Sequence, residues 1–255
     1  MNKGIDEKNL IARAEDAAQL CEKQYAPKAF GFLTPAECAV IKREFKAKGF
    51  DADICFKFYG GYPDAERSLF LAFPEYAAET VDSEFITLLE IRGRDIGTLN
   101  HRDFLGSILG LGIKREKIGD ILCLEDRCLV FVLSDIADYI ISNLEKVARC
   151  GVRVRVLNFD DLEVPKRKVE EIRTTVAALR LDCVVAAALK TSRAAAAEVV
   201  RSKRVLVNWQ EACESSQKVL PGDVFSIRGA GRFRLTEEVS ETRKGRLSVC
   251  IEKSI

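Results

Sequence analysis

Residues 180–224 read RLDCVVAAALKTSRAAAAEVVRSKRVLVNWQEACESSQKVLPGDV, and this stretch decides the fold of the C-terminal part of the chain. Asp182 and Ser192 are residue types that favour the N-cap position, so each is expected to begin a short helix. Two strands follow, separated by a polar loop and by the turn Pro221-Gly222-Asp223. Apolar residues at helical spacing predict the buried sides of the two helices: Leu181, Val184, Val185 and Ala188 in the first, and Ala195, Ala196, Val199 and Val200 in the second.

Basic residues are concentrated around the second of these helices. Arg193 begins it, at a helix end whose free N–H groups already favour anions, and Lys190 precedes it in the connecting turn. Cations displayed on a rigid helix pair can follow the phosphates of A-form RNA, with a solvated basic face as the simpler alternative. The candidate RNA-binding residues of this part are Arg180, Lys190, Ser192, Arg193, Arg201, Lys203 and Arg204.

Charge is distributed unevenly along the 255 residues, although the whole chain carries a net charge of only +1. From Lys166 onward there are 18 Lys and Arg against 11 Asp and Glu, whereas the first 165 residues hold 22 against 28. A basic C-terminal third on an otherwise acidic chain predicts a module at that end that binds a polyanion.

Residues 81–164 predict a central domain in which strands and helices follow the order β-α-β-β-α-β. RNA-recognition motifs share this ferredoxin-like arrangement, and they stack bases on aromatic residues of their third strand. The third strand here, CLVFVL, is almost purely apolar, so we expect the sheet to serve as core or docking scaffold, with base stacking as the alternative. The predicted elements are strands 85–91, 118–124, 128–133 and 152–157 and helices 101–109 and 135–147.

The first 80 residues predict a smaller α/β domain. It opens with a helix whose apolar positions lie within residues 10–21, and Thr34-Pro35 with Glu37 forms a capping box that announces a second helix. Strands are expected at 54–58 and 68–73, and Pro165-Lys166-Arg167-Lys168 reads as a linker. The chain is thus predicted to be an α+β protein with domains at 1–80, 81–164 and 165–255.

The cysteines do not indicate a metal site. None of the nine forms a C-x-x-C pair, and His101 is the only histidine, so a four-ligand zinc site is not expected. Cys123 and Cys128 are predicted to face each other across a hairpin that turns at Glu125-Asp126. Together with the lack of a long apolar run or a secretory signal, reduced cysteines predict a cytoplasmic protein that does not contact a membrane.

No arrangement of residues predicts catalysis. His101-Arg102-Asp103 matches the start of a kinase catalytic loop, but Ile108 stands where that loop requires Asn. Glycine-rich nucleotide loops are absent as well, so we expect no catalytic residues, no cofactor and no small-molecule substrate. Two alternatives stay open: an RNA-modifying enzyme with a pocket joining His101, Asp103 and Glu66, or a docking protein linked to cell division.

The stretch from residue 174 to 232 resembles the S4 RNA-binding domain. That family shows the same order of R-L-D, S-R-x-x-A, V-x-V-N and G-D, found here from Arg180 to Asp223. The chain departs from the family at Ser202, where glycine is usual, and this predicts a slightly looser turn after the second helix. Pseudouridine synthases also carry R-L-D, but with a Thr/Ser-Gly turn after it, whereas Cys183 follows here.

Nearly the whole chain resembles the YlmH family of bacterial proteins. Two upstream segments carry that resemblance, FYGGY at 58–62 leading to Ala65-Glu66-Arg67, and residues 99–120 with LNHRD and LGLGIKREKIGD. It implies a bacterial protein that binds rRNA and peptidyl-tRNA on the large ribosomal subunit in ribosome-associated quality control or rescue of stalled translation. We separately expect the protein to be a monomer.

A glycine-framed loop within the second segment offers a further candidate RNA contact. Gly110, Gly112 and Gly119 frame this loop, and its cations are Lys114, Arg115 and Lys117. A helix-to-strand connection relieved by glycines is an equally good interpretation.

Overall fold

The computed structural model describes residues 3–48, 55–78, 84–165, 169–212, 214–242 and 245–254. Its contacts divide the chain into two units, Met1–Pro165 and Lys166–Ile255. The further division of the first unit at residue 80 stays a prediction, since residues 79–83 lie outside the described residues. Lys166–Lys168 of the expected linker and Cys213 also lie outside them. Within the described residues no helix combines the length and the apolar character needed to cross a membrane.

The first unit begins with two helices and a three-stranded antiparallel sheet. The capping box forms as predicted, because the Thr34 N–H donates to a Glu37 carboxylate oxygen (2.7 Å) and the Glu37 N–H donates to Thr34 Oγ1 (3.3 Å). The sheet order is β1-β3-β2. The elements are α1 (Lys3–Gln24), β1 (Lys28–Leu33), α2 (Pro35–Lys48), β2 (Cys55–Tyr59) and β3 (Ser68–Phe73).

Strand β1 was not expected from the sequence. Gly31 has a φ of 37°, and the register against β3 shifts between Phe30 and Phe32. This bulge breaks the two-residue alternation by which an amphipathic strand is recognised.

The central part of the first unit has the predicted order of elements. They are β4 (Ile86–Gly93), α3 (His101–Gly110), β5 (Ile118–Cys123), β6 (Cys128–Leu133), α4 (Ala137–Asn143), β7 (Lys146–Val147) and β8 (Cys150–Val156). The sheet order β5-β6-β4-β8-β7, with every neighbouring pair antiparallel, is the ferredoxin-like arrangement. Cys123 and Cys128 are cross-strand neighbours, as expected, and both are free thiols. The prediction of a helix over 135–147 was wrong at its end, because Lys146 and Val147 pair with β8 instead.

Both faces of the central sheet are covered over part of their area. Helices α3 and α4 cover one face, where Leu89, Val130 and Ile140 are buried. The sheet formed by β1, β2 and β3 packs against the other face, where Leu88 and Phe131 are buried beside Phe32, Leu71 and Tyr62. Phe131 is fully buried, with its ring 5.1 Å from that of Tyr62, so this part of the sheet serves as core and does not stack bases.

The second unit consists of two short helices and a six-stranded antiparallel sheet of order β11-β10-β12-β13-β14-β9. Its elements are β9 (Val169–Val176), α5 (Leu181–Ala188), α6 (Arg193–Arg201), β10 (Val205–Val207), β11 (Gln210–Glu211), β12 (Val224–Ile227), β13 (Gly231–Glu241) and β14 (Leu247–Ser254). The sheet is larger than the predicted pair of strands because β14 also pairs with β9 along eight residues. The predicted inner faces of the helices are buried except at Ala195, which is exposed, and Val199, which is half-buried.

Candidate RNA-binding surface

Asp182 organises the cations at the start of the helix pair. Its side chain is only 7% exposed and binds two guanidinium groups, Arg193 Nη2 at 2.7 Å and Arg180 Nε at 3.3 Å. Burial alone would raise the pKa of this carboxyl, but the hydrogen bonds from Arg193 and Arg180 outweigh it and hold the pKa below its ordinary value. Both arginine side chains stay about half exposed, so Asp182 fixes them at the surface with donor groups left for a phosphate.

The prediction that Asp182 caps the first helix was wrong. Helix α5 begins one residue earlier, at Leu181, and Arg180 occupies the cap position without a capping side chain. The N–H groups of Leu181 and Asp182 instead donate to the backbone oxygens of Gln217 and Ser215, both at 2.9 Å. Because the backbone supplies these partners, the carboxylate of Asp182 is available to the arginines.

Ser192 caps the second helix, as predicted. Its Oγ accepts from the Ala195 N–H at 3.2 Å, and the side chain is exposed. The cap explains why serine stands at this position, and a role of the hydroxyl in RNA contact stays a proposal.

Each helix of the pair ends in a Schellman motif whose left-handed residue is a lysine. At the end of α5 Lys190 has φ 52°, and the Thr191 N–H donates to the Ala186 carbonyl at 2.9 Å. At the end of α6 Lys203 has φ 56°, so the left-handed position falls one residue after Ser202, whose own φ is −75°. Glycine is the usual residue at this position, since a side chain there costs about 1–2 kcal/mol. Lys190 and Lys203 are both exposed, so these two helix ends present cations to the solvent.

We expect Lys190→Gly to raise the stability of the second unit and to weaken its binding to RNA. The change relieves the left-handed strain, and the free energy of unfolding of the second unit rises by up to about 1 kcal/mol. It also removes a cation, so RNA affinity falls. Thermal unfolding and RNA titration of the same preparation measure both effects, with Lys190→Ala as the control that loses the charge but keeps the strain. A lower unfolding temperature, or unchanged affinity in both variants, would contradict this interpretation.

The cations at the far end of α6 have surface partners. Arg201 pairs with Glu198 at 3.0 Å and Lys203 with Glu211 at 2.9 Å, and the side chains of both pairs are largely solvent-exposed. Exposed pairs contribute about 0–1 kcal/mol, so a phosphate can compete for these cations.

The turn between β12 and β13 brings further cations to the same region. Arg204 Nη2 donates to the backbone oxygen of Arg228 at 2.9 Å, which places two basic residues side by side. Lys190 and Lys253 line one depression beside Gly229 in this turn, together with Glu170, which lies 3.9 Å from Lys253 Nζ. Arg228 and Lys253 are not among the predicted RNA-binding residues. Arg228 stands directly before a glycine turn, which is a signal visible in the sequence, whereas no glycine follows Lys253. The predicted cations therefore form separate groups: Arg180 and Arg193 around Asp182, Lys190 and Arg204 around the β12–β13 turn, and Arg201 and Lys203 beside Glu198 and Glu211.

Two elements of the S4-like pattern have a structural role. The Asn208 side-chain N–H donates to Asp223 Oδ1 at 2.8 Å, and its oxygen accepts from the Val224 N–H at 3.1 Å. Asn208 and Trp209 have φ values of 47° and 63°, so this bridge holds a tight turn in place. The V-x-V-N and G-D elements thus maintain the frame that carries the basic residues.

The cations of the glycine-framed loop are not all displayed. The Arg115 guanidinium donates to the backbone oxygens of Ile118 and Gly119, and burial followed by the charge of Arg67 lowers its pKa to about 10. Lys117 pairs with Asp135 at 2.6 Å. Lys114 is exposed. Arg115 thus braces the start of β5, which favours the helix-to-strand connection, and Lys114 is the stronger candidate for RNA contact.

The residues of the alternative enzymatic pocket have different surroundings. Asp103 completes a capping box with Asn100 at the start of α3, accepting from the Asn100 N–H at 2.9 Å. The pKa of His101 is lowered by burial and by Arg115, and the carboxylates that oppose this shift are Asp120 and Glu66. Asp103 is thus engaged in holding the helix end. Over the described residues no group of three or more His, Cys, Asp or Glu is arranged to hold a metal ion.

The chain is similar to known bacterial proteins along almost its whole length. A family model described as an RNA-binding domain in YlmH matches residues 81–161, and the S4 domain model matches residues 179–225. Ribosome-associated protein quality control protein P2 of Bacillus subtilis (strain 168) is 33% identical over 249 residues, which is 97% of this chain and 95% of that protein. The solved structure of cell division protein ylmH from Streptococcus pneumoniae is 22% identical and covers 62% of this chain and 96% of its own, and its TM-score of 0.52 shows a shared fold.

Proposed function

Because the chain belongs to the YlmH family of bacterial S4-domain RNA-binding proteins, we propose that it binds the large ribosomal subunit and acts in ribosome-associated quality control or rescue of stalled translation. Its RNA partners in this proposal are rRNA and peptidyl-tRNA. It acts as a cytoplasmic monomer without a catalytic residue, a cofactor, a small-molecule substrate or a membrane contact. The name of the Bacillus subtilis relative supports the ribosomal setting.

The observation that carries the proposal is the display of cations by the helix pair. Asp182 holds Arg180 and Arg193 at one end of α6, and strained lysine conformations present Lys190 and Lys203. Nine helical residues span roughly 13 Å, so cations at both ends of α6 can reach phosphates well apart on a folded RNA. A stranded peptidyl-tRNA on a large subunit offers two such RNA surfaces next to each other.

Sedimentation of tagged protein with cell lysate tests the proposal. We expect co-migration with free large subunits, and enrichment when peptidyl-tRNA is retained on them. Absence from every ribosomal fraction at low salt, together with no affinity for purified rRNA or tRNA, would refute it. Turnover of an RNA substrate by the purified protein would favour the enzymatic alternative.

Arg193→Ala is expected to weaken RNA binding by about tenfold at 0.1 M salt. Removing one phosphate contact makes the slope of log K against log salt shallower by about 0.9. At 0.1 M salt this corresponds to a loss of about one decade of affinity. Arg193→Lys keeps the charge, so its slope should stay close to that of the unchanged protein. Equal slopes for Arg193→Ala and the unchanged protein would show that Arg193 serves only to pair with Asp182.

A further inference from the structure

The face of the central sheet on which β1, β2 and β3 pack is covered only in part, and a row of arginines lies on the part that they leave open. Arg92 on β4 and Arg153 on β8 are directly paired neighbours. Arg127 immediately precedes Cys128, the partner of Ile91, so it lies beside Arg92 on the other side. Like charges placed directly opposite each other destabilise a sheet, so the repulsion within this row must be offset by another interaction.

A single buried carboxylate holds the row together. The Glu90 side chain is fully buried and contacts three guanidinium groups: Arg92 Nε at 3.0 Å, Arg127 Nη1 at 3.3 Å, and Arg155 Nε. Burial would raise the pKa of Glu90, but the hydrogen bonds from Arg155 and Arg92 outweigh it and lower the pKa. Arg92 and Arg155 are nevertheless 48% and 66% exposed, so one carboxylate fixes two surface cations in place, whereas the Arg127 side chain is only 15% exposed.

Three further cations on this side have no carboxylate partner among the described residues. Arg153 alternates with Val152 and Val154, which pack towards the helices, so its side chain points away from them. Lys146 is paired with Gly151, which shares the face of Arg153. Arg94 lies in a shallow depression of about 500 Å³ that also includes Arg153. Its other lining residues are Arg92, Gly93, Glu145, Gly151 and Val152.

We propose that this arginine face, formed by Arg92, Arg94, Lys146, Arg153 and Arg155, binds the sugar-phosphate backbone of double-helical RNA. It is a second RNA contact, separate from the helix pair of the other unit, and it rests on the proposed function in taking RNA as the partner. The face lies within residues 81–161, and it gives that region a way to bind RNA while Phe131 is buried.

Charge complementarity selects RNA phosphates as the occupant. Guanidinium groups present planar forks of N–H donors that match phosphate oxygens, and four of the five cations of the face are arginines. Glu90, Asp126 and Glu163 pair with cations at this end of the sheet, and Glu145 lines the depression beside Arg94. The pKa of Arg155 is raised by its hydrogen bond to Glu90 and also by the charge of Asp161. With Arg127 included, six cations therefore exceed five carboxylates by one, and one of those carboxylates, Glu90, is buried beneath the arginines. Gly151 has open space above its backbone, so a ribose-phosphate chain can approach the strand closely.

A triple variant tests the arginine face without disturbing the Glu90 cluster. Arg94→Gln, Lys146→Gln and Arg153→Gln are combined in the full chain, since none of the three contacts Glu90. The matched control combines Lys8→Gln, Lys23→Gln and Lys46→Gln, which removes equal charge from exposed positions of α1 and α2 in the same unit. The probe is a fluorescently labelled RNA duplex of about 20 base pairs, longer than the roughly 16 that a double-stranded-RNA-binding domain spans.

We expect the triple variant to bind about two phosphates fewer than the unchanged protein. The salt slope then falls by about 1.8, and affinity at 0.1 M salt falls by about 60-fold, while the control changes little. Unchanged thermal unfolding of the variant shows that the weaker binding does not arise from misfolding.

The possible outcomes separate this inference from the proposed function. If the triple variant binds like the control while Lys190→Gln with Arg201→Gln and Arg204→Gln reduces binding, the arginine face does not contact RNA and the proposed function stands. Such a result would assign the face to another partner, such as an acidic protein. If the unchanged protein binds neither the duplex nor ribosomal subunits, both proposals fail.

Discussion

Replacing Lys190, Arg201 and Arg204 together by glutamine is expected to weaken binding to purified large ribosomal subunits by about 500-fold at 0.1 M salt. Each phosphate that a cation binds contributes about 0.9 to the slope of log K against log salt, which at this concentration corresponds to about 0.9 decade of affinity. Removing three cations that each bind one phosphate therefore lowers the affinity by roughly 2.7 decades. The effect should shrink as the salt concentration rises, because the counterions displaced by binding are then less favourably released.

These three positions are chosen because the frame of the second unit does not depend on their charges. Lys190 is exposed, and Arg201 pairs with the exposed Glu198. The Arg204 guanidinium donates to the Arg228 carbonyl at the surface, so its loss leaves a group that water can bind. Asp182 keeps both of its arginines in this variant.

Titration of subunits at several salt concentrations gives both the affinity and the slope. The control with glutamine at Lys8, Lys23 and Lys46 removes the same charge from the first unit and should bind nearly as well as the unchanged protein. If control and variant lose affinity equally, only net charge matters, and the helix pair is not the binding surface.

Gly61→Ala is expected to destabilise the first unit by about 2–5 kcal/mol. Gly61 has φ 99°, and a Cβ atom there would stand 2.4 Å from Phe131 Cδ1 and 2.6 Å from Phe131 Cε1. A backbone in this region costs a residue with a side chain about 1–2 kcal/mol, and overpacking a core adds about 1–3 kcal/mol. The ring has no free direction, because Phe131 is fully buried between Tyr62 and Phe159.

Gly106→Ala provides the matched control for this prediction. Gly106 lies in α3, where an added Cβ would meet nothing within 4 Å, so alanine should stabilise the helix by about 0.5–1 kcal/mol. Urea unfolding followed by far-ultraviolet circular dichroism reports the change. Fluorescence of Trp209, the only tryptophan and a residue of the second unit, should show an unshifted transition. Equal stability of Gly61→Ala and Gly106→Ala would show that the first sheet does not pack on β6 as described.

Local sequence signals predicted the elements that depend on neighbouring residues. The capping box at Thr34, the cap at Ser192 and the hairpin that pairs Cys123 with Cys128 all follow from residues within a few positions of each other. Such elements are readable because capping, helical periodicity and turn formation act over short distances along the chain.

Long-range register decided the features that the sequence reasoning missed. The arginine face requires β4, β6 and β8 to be adjacent and in register, although Arg92 and Arg153 are far apart in the sequence. The burial of Arg115 depends on the packing of β1 and β5, and no local pattern shows it. A charged residue looks the same in sequence whether it meets water, a carbonyl or a carboxylate.

The amino-acid sequence alone therefore determined the α+β class, the helix pair with its basic residues and the family of this chain, because these depend on short-range patterns and on motifs in fixed order. Only the tertiary structure decided which cations are held by Asp182 and Glu90, and which face of the central sheet is closed by the first sheet. The physical reason is that burial and ion pairing join residues that folding brings together. Such residues can be far apart in the sequence, so no local pattern identifies the partners.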